Sequence, residues 1–137
     1  MVRDDRGRRM KSWIGGGIAA LLLGGAMTSL SAHHTVSSFF DTSNLVTLRG
    51  ALTSISWRNP HVILRLETRG DNGGAVSWNV ETLNMQGLSR QGLTQESFKP
   101  GDPFTATVCI AKDGTRWAVT HALTTPKGPV DLSVGGC

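Results

Sequence analysis

Residues 45–57 read Leu-Val-Thr-Leu-Arg-Gly-Ala-Leu-Thr-Ser-Ile-Ser-Trp. Val46, Leu48, Gly50 and Leu52 alternate with Thr47, Arg49, Ala51 and Thr53, and then the apolar positions change phase to Ile55 and Trp57. Alternation at a period of two marks a strand with one face in the core. A phase change inside such a run is what a bulge produces, and Gly50 permits a sharp bend. A long, bent first strand is how a small β-barrel turns a corner.

The segments that follow fit that start. Arg58-Asn59-Pro60 reads as a tight turn. His61 to Thr68 is a second strand with Val62, Leu64 and Leu66 on one face. After the turn formers Arg69 to Gly74, Ala75 to Glu81 is a third, with Val76, Trp78 and Val80 alternating. Trp78 shares that apolar face and is expected in the core. Thr82 to Gly92 fits a short helix, capped by Thr82 or Asn84 and ended by Gly92. Leu93 to Phe98 adds a further turn. Phe104 to Ala111 is a fourth strand, Asp113-Gly114 a hairpin turn, and Arg116 to Leu123 a fifth. Thr124 to Cys137, rich in Pro, Gly and Ser, reads as loose.

Three strands, a helix and two strands is the order of a five-stranded Greek-key barrel, the OB-fold. The expected class is therefore mainly β, an OB-like barrel with one short helix between strands 3 and 4. An open α+β sheet is the alternative. The barrel domain is expected over residues 33–128, with 129–137 as a flexible tail.

Upstream, residues 1–32 divide into a basic head with Arg3, Arg6, Arg8, Arg9 and Lys11, an apolar stretch from Ile14 to Met27, and a small-residue end, Ser-Leu-Ser-Ala. This order marks a secretory signal peptide. The apolar stretch is shorter than the roughly 20 residues a spanning helix needs, so membrane attachment is expected only if the leader stays uncleaved. Arg8-Arg9 hints at twin-arginine export. No cysteine stands near the cut to take a lipid. The expected location is periplasmic or secreted.

Five of the 14 basic and two of the 10 acidic residues lie in this leader, which leaves the mature chain near +1. The folded part carries no visible basic stripe in sequence, so a nucleic-acid partner is not expected. Two cysteines remain, Cys109 and Cys137. In an oxidising compartment a disulfide between them is reasonable; two separate thiols are the alternative.

Cleavage after Ala32 makes His33 the first residue, with His34 behind it. A terminal histidine offers an amine and an imidazole that can chelate one metal, and a third nitrogen from His61 or His34 completes a set that suits copper(II). His61 follows the Asn59-Pro60 turn, which would preorganise it. Cleavage after Ser31 would give Ala32-His33-His34, also a copper chelator but of different coordination. The plainer readings are a solvated His-His terminus and a His61 that only closes a strand turn. His121 lies on a strand and is expected to be a satisfied structural residue.

His33-His34, Phe39-Phe40-Asp41, Val46 to Gly50, Trp57-Arg58-Asn59-Pro60-His61, Trp78, Lys99-Pro100-Gly101-Asp102 and Lys112-Asp113-Gly114 together resemble a family of small exported bacterial proteins known only as a domain of unknown function. Its mature chains open Ala-His-His-Ser and carry Asn-Pro-His after the first strand; here Thr35 replaces the serine. The resemblance covers most of residues 32–128. It implies an exported OB-like domain of a Gram-negative bacterium and supplies no mechanism.

Nothing marks an enzyme. There is no Gly-x-Ser-x-Gly elbow, the carboxylates are scattered, and neither cysteine has the neighbours of a nucleophile. The expectation is a non-enzymatic binding protein whose cofactor, if any, is copper held by His33, His34 and His61. The alternative is a metal-free module binding carbohydrate, another small ligand or an envelope partner protein. Trp57, Trp78 and Trp117 could offer stacking surfaces for it, although the loops joining strands one to two and four to five look short.

Overall fold

The computed structural model describes residues 36–125 and 128–137, all within one compact unit. Its elements are the single turn α1 (Val36–Phe39), β1 (Phe40–Ser56), β2 (Ile63–Arg69), β3 (Ala75–Glu81), α2 (Met85–Arg90), β4 (Pro103–Ala111), β5 (Trp117–Thr125) and β6 (Gly128–Asp131). The fold is mainly β, and its six strands form one sheet in the order β3-β2-β1-β4-β5-β6. Neighbours in that order are antiparallel. In addition β3 runs parallel to β5, Asn79 facing Trp117 and Glu81 facing Val119.

β1 is the organising element. Its first part pairs with β4, from Phe40 opposite Ala111 to Ala51 opposite Pro103. Its second part pairs with β2, from Gly50 opposite Thr68 to Ser56 opposite Ile63. The register slips between Leu52 and Ser54, where the sequence changes phase, so the extra residue re-aims the chain and keeps Leu52 buried. Gly50 has a different task from the bend expected of it. A Cβ there would stand 1.9 Å from the Glu67 carbonyl oxygen, so glycine is required for β1 and β2 to approach.

The alternating residues meet in one core that includes Leu48, Leu52, Leu64, Leu66, Val80 and Val108. Trp78 is among the buried residues, as its strand face predicts. Asn84 caps α2, its side chain accepting from the Gly87 amide at 2.7 Å. Thr82 is fully buried instead, its hydroxyl donating to the Val62 carbonyl at 3.0 Å. A 3-10 turn over Gln95–Ser97 follows.

The C-terminal segment departs from expectation. The five-strand count misses β6, which pairs with β5 from Ala122 opposite Asp131 to Thr125 opposite Gly128. Residues 129–137 are not a flexible tail: Leu132 and Val134 are buried, and Cys137 is joined to Cys109 in a disulfide. Pro129 and the glycines read as breakers in sequence, but β6 is the last strand in the order, and an edge strand tolerates proline because one side of its backbone needs no partner. A Cβ on Gly135 would stand 2.0 Å from a Val36 methyl, and its φ is +60°. Glycine there lets α1 close against the C-terminal segment.

Candidate functional site

His61 precedes β2 rather than opening it, and its backbone is held through its neighbour. Val62 is fully buried. Its amide donates to the Leu83 carbonyl, and its carbonyl accepts from the Thr82 amide and hydroxyl. The imidazole is exposed, and its Nδ1 is paired with the Glu81 carboxylate. Glu81 ends β3 on the outward face and extends its other oxygen to the Trp117 indole N–H at 3.3 Å. One carboxylate thus bridges His61 and Trp117, from three separate strand ends. Ser56, Arg58, Asn59, Pro60 and Ile63 complete an open cleft of about 270 Å³ around His61.

Because a carboxylate accepts, Nδ1 is the donor in this pair, and in the neutral imidazole Nε2 then holds the lone pair. A metal-ligating histidine is commonly oriented in this way, by a carboxylate or carbonyl on its other nitrogen. In sequence Glu81 is one of several scattered carboxylates. The alternation of β3 gives its face, but only the ladder, with Ile63 opposite Glu81, brings it to His61.

His121 is half-buried, and its Nδ1 lies 2.7 Å from the main-chain oxygen of Cys137. It ties β5 to the C-terminal segment, the structural part expected of it. Trp57 packs against Phe98, ring centres 6.0 Å apart. Trp117 is the more exposed indole, 37% accessible.

His33 and His34 lie outside the described residues, as do the expected leader and cleavage site. Among the described residues no group of three or more His, Cys, Asp or Glu side chains is placed to hold a metal ion. None of their helices is long and apolar enough to cross a membrane. The lead-in does have a defined entry. The Phe39 carbonyl accepts from the Lys112 amide at 2.9 Å, and the Ser37 carbonyl from the Lys112 ammonium at 2.7 Å. Lys112 begins the hairpin that leads to Trp117.

Residues 21–120 match the model of a family of unknown function, DUF6152. No curated protein and no solved structure matches the chain.

Proposed function

The chain belongs to the DUF6152 family, which carries no assigned activity, and from its own residues we propose that it is an exported, non-enzymatic binding protein that holds a copper-type ion. The leader, residues 1–32, directs it to the periplasm and is removed. His33 then supplies its amine and imidazole, and His61 or His34 a third nitrogen, a nitrogen-rich set of the kind copper(II) favours. The scaffold is an OB-like barrel, a reading supported by the parallel β3–β5 pairing, which links the two flanks of a β3-β2-β1-β4-β5 run, with β6 added outside.

One observation carries the ligand assignment: Glu81 engages Nδ1 of His61, so that Nε2 is the nitrogen left for a metal, and His61 lines the open cleft. The lead-in enters beside Lys112, and the proposal requires the segment before it to reach the His61 cleft. Two residues, His34 and Thr35, lie between His33 and Val36, so at up to about 3.5 Å per step the His33 Cα stays within roughly 11 Å of the Val36 Cα.

The test is copper(II) titration of the mature protein, with its first residue established by mass spectrometry. His33→Ala and His61→Ala are expected to lose the tight site. Glu81→Gln, which keeps an acceptor but removes the charge, should weaken it by roughly tenfold or more. Equal binding in all variants overturns the assignment and favours the metal-free module for carbohydrate or a partner protein.

A further inference from the structure

A second cleft, of about 380 Å³, lies toward the other end of β3, where Thr47, Arg49, Arg69, Asp71, Trp78 and Arg116 are among its walls. Its three arginines come from three parts of the chain, which is why no basic stripe shows in sequence. The β1–β2 ladder begins at Gly50 opposite Thr68, and the same register carried one residue outward would set Arg49 across from Arg69, both of which line the cleft. Like charges directly across two strands are destabilising. Among the described residues neither of these side chains makes an ion pair or hydrogen bond, and Asp71 pairs with none of the three. The Arg116 guanidinium lies 5.0 Å above the Trp78 ring. Its charge lies over the face of a buried indole, a cation–π contact that uses none of its five N–H donors.

We propose that this cleft binds a phosphoryl group, carried by a soluble phosphate monoester or by a phospholipid headgroup. The choice follows from donor number. A planar carboxylate is matched by one guanidinium fork, whereas a phosphate dianion offers oxygens to several forks at once. Bound there, it converts the Arg49–Arg69 repulsion into a shared attraction. The walls leave room beside the phosphoryl group for a small polar carrier. The inference is independent of copper binding, since it uses none of the same side chains.

The experiment follows the Trp78 indole resonance and Tm of the mature protein. Its probes are inorganic phosphate, glycerol 3-phosphate, acetate, and phosphatidylcholine vesicles with and without phosphatidic acid. Arg49→Gln and Arg116→Gln are compared with Arg65→Gln, whose Nε donates to Asn79 at 3.3 Å away from the cleft. A phosphate-bearing probe should shift Trp78 and raise Tm, and each cleft variant should weaken it roughly tenfold or more, while Arg65→Gln leaves it unchanged. Arg49→Gln should also raise Tm in phosphate-free buffer, because the like-charge pair is gone. Saturation by glycerol 3-phosphate identifies a soluble ester, and a response confined to phosphatidic acid vesicles identifies a headgroup. No response to any phosphate probe, acetate binding as tightly, or equal loss in Arg65→Gln overturns the proposal.

Discussion

Replacing Cys137 by serine opens a loop of known size and measures what the C-terminal closure contributes. The disulfide joins Cys109 to Cys137 across 28 residues. Loop-closure entropy for that length corresponds to about 3.6 kcal/mol at 25 °C. The substitution is mild in other respects. Cys109 stays as a small buried apolar residue, and a serine hydroxyl at 137 has the Val119 carbonyl, 3.4 Å from the present sulfur, as an acceptor. For about 100 ordered residues the loss amounts to a fall in Tm of roughly 15 °C. Urea unfolding of the oxidised protein, the reduced protein and Cys137→Ser is the assay, with amide exchange read across β6. Reduced wild type and Cys137→Ser should agree with each other, both well below the oxidised form. A difference under about 1 kcal/mol, with β6 still protected, would refute the reasoning. It would mean that the β5–β6 ladder and the burial of Leu132 and Val134 hold the segment without the crosslink.

Two further outcomes are expected. Gly50→Ala drives a methyl into the Glu67 carbonyl, which is backbone and cannot rotate away, so thermal unfolding should show a loss near the upper end of the roughly 1–3 kcal/mol typical of overpacking. Asp113 accepts from the hydroxyl of Thr115 at 2.7 Å and its amide at 2.9 Å, and the side-chain bond, then the backbone bond, holds its carboxyl below the usual range. A carboxyl depressed on folding stabilises above its unfolded pKa, and that contribution is lost as pH falls through the folded value. Asp113→Asn should therefore flatten the acid limb of a stability–pH curve and lower the neutral plateau; an unchanged acid limb would show that the Asp113 turn contributes nothing there.

What could be read in the sequence was local. The phase change between Leu52 and Ile55 becomes the bulge because alternation records, residue by residue, which side faces the core. Trp78 is buried for the same reason, and Asn84 caps α2 because its carbonyl oxygen reaches the Gly87 amide three residues on. The features that escaped depend on partners far along the chain. Glu81 reaches His61 only through the β2–β3 register, and Arg49 and Arg69 come to line one cleft only through the β1–β2 pairing. β6 was hidden because proline and glycine lower strand propensity, while the adjoining β5 edge, the Leu132 and Val134 anchors and the disulfide override it. His33 and His34 stand out only by their place after a segment that reads as a leader, a signal about processing rather than folding.

The two proposed sites share one strut and still report separately. Trp78 and Glu81 are three residues apart on β3, about 10 Å along the strand. Alternation turns the first toward the core and the second outward. Perturbations that far apart without shared partners are close to additive, so a charge removed from Arg49 should leave the His61–Glu81 pair as it is. Failure of copper binding would thus leave the arginine cleft standing, and failure of phosphate binding would leave the histidine assignment standing. What joins them is the sheet itself. Gly50 lets β1 and β2 approach at the arginine pair, and the return of β5 to β3 holds Trp117 against Glu81. A protein whose only task was to fold would gain by separating Arg49 from Arg69 and by burying Trp117. That it does neither fits the two proposed ligand sites.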